Sequence, residues 1–440
     1  MAQARETAVD ILLKIEKEKA YSSFSVAETL KNTAIEDPRE LSLAVSLVYG
    51  VLEHKITLDY NLSLYLASPL KKLKPTVLAV LRAGALQILY MDKIPVSAAV
   101  NESVKLVKKK GCAFASGMVN AVLRKISANG LCLPDKADRV KYLSVKYSFP
   151  EELVKHYTLQ YGEEKAEQIM SVSAGRRPIF VRVNTLKTNS QALNQILNAE
   201  GVRSEICDTM ENCLIVADTG DITRLPSFRD GLFHVQDISS QLCCKLLGAE
   251  PHDTVVDCCA APGGKTFTSV QYADDTGCFY SADIHPHKID LIEGGVQRLG
   301  IKSVKAVCCD AKKLKHNIHN ADKVLCDVPC SGLGVVGRKP EIRYKDLSEF
   351  DGLPAEQYEI LSSCSQMVKD GGTLVYSTCT LNRLENDEVC DRFLSEHKDF
   401  MLCEDEEYKA LCFGGKYITV FPTENGGDGF FIAKFYRGQK

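Results

Sequence analysis

Apolar residues recur every three or four positions over 5–17, where Ala8, Ile11, Leu12 and Ile15 share one helical face, and the same period returns at 41–52, 76–90, 96–109 and 116–126. Pro38, Pro69, Pro75, Pro95 and Gly111 separate these runs, so residues 1–130 predict an all-α bundle. A helical linker of short segments is expected over 131–175. The period then becomes that of a strand at 180–187, a helix at 190–200 and short strands near 213–217, which predicts a small α+β module spanning 176–235. From 236 to 440, strands at 254–258, 278–283, 303–309, 323–328 and 372–377 alternate with helices at 265–271, 286–299, 354–368 and 384–396. That alternation predicts a parallel sheet with helices on both faces. Two last strands, 416–422 and 429–437, are joined by Thr423-Glu-Asn-Gly-Gly-Asp428, a glycine turn suited to an antiparallel hairpin.

A chain of 440 residues divides naturally into two or three domains. Its longest apolar stretch, 77–90, is interrupted by Arg82 and Gln87 and falls short of the roughly 20 residues of a membrane span. The first residues carry no signal-peptide pattern, and 18 cysteines scattered through strand-like runs fit a reducing cytoplasm better than a disulfide framework. Net charge is −3, but residues 1–125 hold 18 Lys and Arg against 12 Asp and Glu. A basic front end predicts a polyanionic partner, with Arg5, Lys105, Lys108, Lys109, Lys110, Arg124 and Lys125 as candidate phosphate contacts. Against this stands the ordinary fate of surface Lys and Arg, which is solvation. The middle module is compatible with a ferredoxin-like or RRM-like shape, often used on RNA.

The turn after the first strand of the 236–440 domain, Asp257-Cys-Cys-Ala-Ala-Pro-Gly-Gly-Lys265-Thr, narrows the ligand class. It lacks Gly-x-Gly-x-x-Gly, and the first glycine of a P-loop would fall on Cys259. What remains is a tight turn on Pro262, Gly263 and Gly264 that lets backbone approach a ligand, followed by a helix N-terminus facing a carboxylate. Asp283, Asp310 and Asp327 end or follow the next strands, where acids accept ribose hydroxyls and amino groups. A single such Asp could be a cap; three in register with the glycine loop point to a nucleoside-like cofactor. A parallel sheet closed by an antiparallel hairpin resembles the Rossmann-like class I S-adenosylmethionine-dependent methyltransferase fold.

Two cysteines follow predicted strands beside this pocket: Cys330 in Asp327-Val-Pro-Cys-Ser-Gly and Cys379 in Ser377-Thr-Cys-Thr. Carbon 5 of a pyrimidine is a poor nucleophile until a thiolate adds to carbon 6 while an acid supports the ring, and the carbon 5 proton must leave before the thiol does. Cys379, Asp327 and Cys330 suit nucleophile, acid and release. Most free cysteines are simply small buried hydrophobes, the reading taken for Cys243, Cys258, Cys308, Cys364 and Cys390. Adjacent Cys-Cys pairs lack the usual ligand gap, so no metal is expected.

These motifs, with Asp428-Gly-Phe-Phe431 and Val235-Gln-Asp-Ile-Ser-Ser-Gln241, resemble the Nop/Sun family of RNA 5-methylcytosine methyltransferases from about residue 177 onward. Leu81-Arg-Ala-Gly-Ala-Leu-Gln-Ile-Leu-Tyr90, Ile94-Pro-Val-Ser-Ala-Ala-Val-Asn-Glu102 and Val119-Asn-Ala-Val-Leu-Arg124 resemble the RNA-binding domain of the NusB antitermination factor. The resemblance implies that Cys379 attacks and Cys330 assists release. It also implies S-adenosylmethionine on Cys259, Ala260, Ala261, Pro262, Gly263, Gly264 and Lys265 together with Asp283, Asp310 and Asp327, and 16S ribosomal RNA as partner. Lys265 is expected to face the base as well, and Arg338, Lys339 and Arg343 to meet RNA phosphates. Cys258 where Ala is common, and Tyr344 where Trp is frequent, depart from the family pattern. Open alternatives are the same chemistry on transfer RNA, a non-catalytic RNA-binding assembly factor, and amino-group methylation.

Overall fold

A computed structural model describes residues 2–18, 35, 37–175, 177–316, 318–423 and 426–438. Two compact units emerge, Met1–Ala174 with Val336–Leu347, and Gly175–Val335 with Ser348–Lys440. Helices Arg139–Tyr147, Glu151–Tyr161 and Glu163–Ser171 belong to the first unit, where Thr57 Oγ1 donates to the Val145 carbonyl at 2.5 Å.

The first unit is all-α. Its helices Ala2–Glu18, Pro38–Glu53, Pro75–Tyr90, Val96–Lys109 and Ser116–Asn129 follow the predicted periodicity. In Val96–Lys109, for example, Ala99, Val100, Ser103, Leu106 and Val107 are buried while the lysines stay outside. Helix Lys55–Ser63 escaped prediction because its amphipathic pattern is weak.

The segment Val336–Leu347 corrects one expectation. Arg343, read as a phosphate contact, is 1% exposed and donates to the carbonyls of Glu53, Tyr147, Ser148 and Ser173. These carbonyls lie at or just past the ends of helices Pro38–Glu53, Arg139–Tyr147 and Glu163–Ser171. Orphan carbonyls at helix C-termini attract a cation, so the guanidinium satisfies three helix ends at once. Arg5 is likewise no surface contact: it is 4% exposed, with Nε 2.7 Å from Gln87 Oε1.

The second unit holds two sheets. Strands β1 (Ile179–Val183), β2 (Arg203–Ile206), β3 (Cys213–Ala217) and β4 (Phe233–Val235) form an antiparallel sheet in the order β2-β3-β1-β4, with helix Ser190–Ala199 crossing from β1 to β2. This is ferredoxin-like order. The module is tied to the chain after residue 236: Asn184 Nδ2 donates to Leu299 O at 2.9 Å and Arg182 Nε to Gln271 Oε1 at 3.1 Å.

The larger sheet comprises β5 (Thr254–Asp257), β6 (Cys278–Asp283), β7 (Val304–Cys308), β8 (Ala321–Asp327), β9 (Val368–Thr378), β10 (Phe400–Leu402), β11 (Ile418–Val420) and β12 (Phe430–Arg437). Its order is β10-β12-β9-β8-β5-β6-β7, with β11 on β12; β5 to β9 run parallel and β12 lies antiparallel to β9. Alternate residues feed opposite faces. Val256, Val324, Leu374 and Phe431 enter one core, and Val255, Leu325, Val375 and Ile432 the other. The β11–β12 pairing has the predicted antiparallel sense, although Glu424 and Asn425 of its turn lie outside the described residues. Among the described residues, no single helix is long and apolar enough to cross a membrane.

Candidate active site

Strand order reverses beside β5, where β6 leaves to one side and β8 to the other, and ligands bind beyond the strand ends at such a switch. A cavity of about 360 Å³ opens there, lined in part by Cys259, Asp283, Asp310, Asp327, Cys330 and Cys379. The sequence spreads these six over five stretches, Asp327 and Cys330 sharing one motif, and the sheet gathers them.

The glycine loop lies on one wall. Ala260 N donates to Ala282 O at 2.8 Å and Gly263 N to Ala260 O at 2.7 Å, tightening the turn around Ala261 and Pro262. Gly263 has φ of 107°, a left-handed conformation, and a Cβ there would sit 2.3 Å from the Phe267 ring. Helix Gly264–Tyr272 follows directly. On the opposite side Asp283 accepts the His285 N–H at 3.0 Å, with Lys288 Nζ 3.5 Å away, and Asp310 accepts the Lys312 N–H at 3.0 Å. Two carboxylates fixed at one cavity suit a ligand rich in hydroxyl and amino donors, as a nucleoside is.

Asp257 ends β5 beneath the loop. Burial pushes its carboxyl up to about 7, against a hydrogen bond from Thr266 at 2.8 Å. An acid whose folded pKa is raised contributes stability at low pH that is lost as pH climbs from about 4 through about 7. Asp257→Asn should flatten that dependence, and urea unfolding of both proteins at pH 5 and pH 8 measures it. Equal pH slopes in the two would remove Asp257 as the cause.

At the far end of the cavity the Cys330 and Cys379 sulfurs stand 3.2 Å apart. The hydrogen bond shared with Cys379, then burial, then the charges of Cys379 and Glu385 push the Cys330 thiol well above its ordinary range. Cys330 therefore keeps its proton at neutral pH. Asp327 accepts from Lys265 Nζ at 2.6 Å on one oxygen and from Ser377 Oγ at 2.7 Å on the other. Burial opposes charge on Lys265, but Asp327 outweighs it and raises the ammonium pKa. Lys265 thus stays a cation at the strand end, 5.2 Å from the Phe430 ring centre.

Sequence reasoning missed the residues behind the thiols. Asn382, Glu385 and Asn386 are buried: Asn386 accepts from Thr378 Oγ1 at 2.6 Å and donates to Thr380 O at 2.9 Å. The signal was Asn-Arg-Leu-Glu-Asn directly after the Cys379 motif, polar residues where a helix start alone would need fewer. It also missed that Cys258, Cys326 and Cys364, from three elements, bring their sulfurs within 4.8 Å of one another. They pack in a core with Val324, Ile360 and Leu361. Of the predicted phosphate contacts, Lys108, Arg124, Lys125 and Lys339 are exposed, while Lys105, Lys109 and Lys110 pair with Glu102, Glu6 and Asp10 at 2.8, 2.6 and 2.7 Å.

Comparison with known proteins adds family to geometry. Residues 244–436 match the family model for the 16S rRNA methyltransferase RsmB/F, residues 2–128 that of the NusB family, and residues 149–223 the RsmF/B-like ferredoxin-like domain. The chain is 37% identical over 438 residues to "Probable ribosomal RNA small subunit methyltransferase B" of Bacillus subtilis (strain 168), covering 97% of each protein. The crystal structure of PH0851 superposes with a TM-score of 0.82 at 25% identity, over 100% of this chain and 99% of that one. The structure of NSun6 from Pyrococcus horikoshii with SFG shares the fold over 67% of this chain and 100% of that one, with a TM-score of 0.60 at 23% identity.

Proposed function

This chain belongs to the ribosomal RNA small subunit methyltransferase B family, and from that membership we propose that it methylates carbon 5 of a cytosine in 16S ribosomal RNA through a covalent bond to Cys379. The observation that carries this reading is the 3.2 Å approach of two thiols that both line the cavity. Amino-group methylation has no use for a thiol pair.

In this reading S-adenosylmethionine is held by the glycine loop, Asp283 and Asp310, and supplies an electrophilic methyl group when bound. Cys379 adds through sulfur to carbon 6 of the extruded base. The Lys265–Asp327 pair supports the ring nitrogen and carbonyl that gain charge, which raises electron density at carbon 5. After carbon 5 is methylated it still carries its proton. Transfer of that proton to water restores the double bond as the carbon 6–sulfur bond breaks and its electron pair returns to the Cys379 sulfur, and the Cys330 thiol 3.2 Å away assists this exit by donating a hydrogen bond to the departing sulfur. Exposed Lys108, Arg124, Lys125 and Lys339 are the cations offered to RNA phosphates.

Bisulfite sequencing of total RNA from cells with and without the gene tests the substrate. One 16S cytosine should resist conversion only when the gene is present. A protected cytosine confined to transfer RNA, or none anywhere, would contradict the assignment.

A further inference from the structure

Glu385 is 0% exposed, and among the described residues its carboxylate meets neutral donors. Oε2 accepts the Ser331 N–H at 2.8 Å and Gln357 Nε2 at 2.9 Å, and Oε1 accepts Asn382 Nδ2 at 3.0 Å. Its own carbonyl accepts the Tyr376 hydroxyl at 2.6 Å, tying it to β9 three residues before Cys379. Gln357 also donates to Pro329 O at 2.9 Å, so both neighbours of Cys330 are held by one cluster. Ser331 Oγ lies 2.7 Å from Thr380 Oγ1, which links the residue after Cys330 to the residue after Cys379. A second clamp runs through glycine: Gly334 N donates to Cys379 O at 3.0 Å, and Gly429 N to Gly334 O at 2.9 Å.

A buried carboxylate left without a cation is costly unless hydrogen bonds fill its lone pairs, and here three N–H groups from three segments do so. The arrangement has a mechanical consequence. The Cys330 turn and the Cys379 turn belong to different βα crossovers, and nothing covalent between 330 and 379 fixes their separation. We propose that Glu385 is the positioning residue that sets the Cys330 turn against Cys379, holding the two sulfurs at reacting distance. It touches neither base nor cofactor. The inference rests on the reading of these thiols as the reacting pair.

Glu385→Gln keeps the shape but turns one acceptor into a donor, so that either Ser331 N–H and Gln357 Nε2, which share Oε2, both lose their acceptor, or Asn382 Nδ2 loses its own. The Cys330 turn should then loosen, and displacement by about 1 Å costs on the order of 100-fold in rate. Expected in the full-length variant are a kcat lower by that order, a KM for S-adenosylmethionine within about twofold of wild type, and release slowed more than attack. The geometry has a readout independent of activity. Diamide, a two-electron azo oxidant, takes two hydrogens from a close thiol pair and becomes the hydrazine, leaving a disulfide that peptide mapping detects. Wild type should form the Cys330–Cys379 disulfide at least tenfold faster than Glu385→Gln. Should Glu385→Gln fail to fold, Asn382→Ala removes one donor and should show the same slowing to a smaller degree. Unchanged disulfide rate and unchanged kcat in a folded variant would overturn the proposal. A slowed disulfide with no covalent RNA intermediate in any variant would retain the positioning role while sinking the catalytic reading of the thiols.

Discussion

Cys330→Ala is expected to arrest the reaction after methyl transfer, so that protein and RNA accumulate as one covalent species, whereas Cys379→Ala forms no such species and loses methylation by a factor on the order of 10⁴ or more. The asymmetry follows from the site. The two sulfurs are neighbours at 3.2 Å, but Cys330 is held as a thiol by its hydrogen bond to Cys379, by burial and by nearby negative charge. It is poorly prepared to attack and well placed to act on an adduct already formed at the adjacent sulfur. Removing it leaves addition intact and slows exit. Removing Cys379 deletes the bond that activates carbon 5, and a barrier rise of about 5.5 kcal/mol corresponds to the factor of 10⁴. Denaturing gels of RNA incubated with each variant and the cofactor separate the two outcomes.

Gly263→Ala should be the most damaging small change outside the thiols. The backbone at φ 107° disfavours any Cβ, and the added methyl would stand 2.3 Å from Phe267. Residue 295 is also glycine where the ring packs, since a Cβ built there would lie 2.4 Å from Phe267. Strain and overpacking together are expected to remove about 2–4 kcal/mol of stability, and the displaced loop should weaken S-adenosylmethionine binding at least tenfold. Urea unfolding and calorimetric titration measure the two effects; wild-type values in both would show that the loop has room the structure denies it.

Local signals were legible and long-range ones were not. Strand periodicity located β6 at its full extent, Cys278–Asp283, whose Phe279 and Ala282 enter opposite cores. The glycine loop and both thiol turns could be read because each is a short motif at the end of a strand. The three-residue strands β4 and β10 went unseen, since three residues carry no period and exist only through pairing with β1 and β12. Arg343 looked like a loop cation because sequence shows its charge and not the three helix ends it meets. Glu385 looked like the lead-in to a helix for the same reason: its donors Ser331, Gln357 and Asn382 come from separate stretches of chain. Helices Arg139–Tyr147, Glu151–Tyr161 and Glu163–Ser171 fall in the stretch read as a helical linker, and the hydrogen bonds from Lys55–Ser63 to Val145 and Ser148 are invisible to a local pattern.

The central claim is that Cys379 bonds to the base and Cys330 frees it. Mapping the protein–RNA adduct of Cys330→Ala by protease and nuclease digestion and mass spectrometry tests it most directly. A methylated cytosine nucleotide attached to the peptide bearing Cys379 is the predicted result. Attachment to any other peptide, or adduct formation undiminished in the Cys330→Ala/Cys379→Ala double variant, would contradict it.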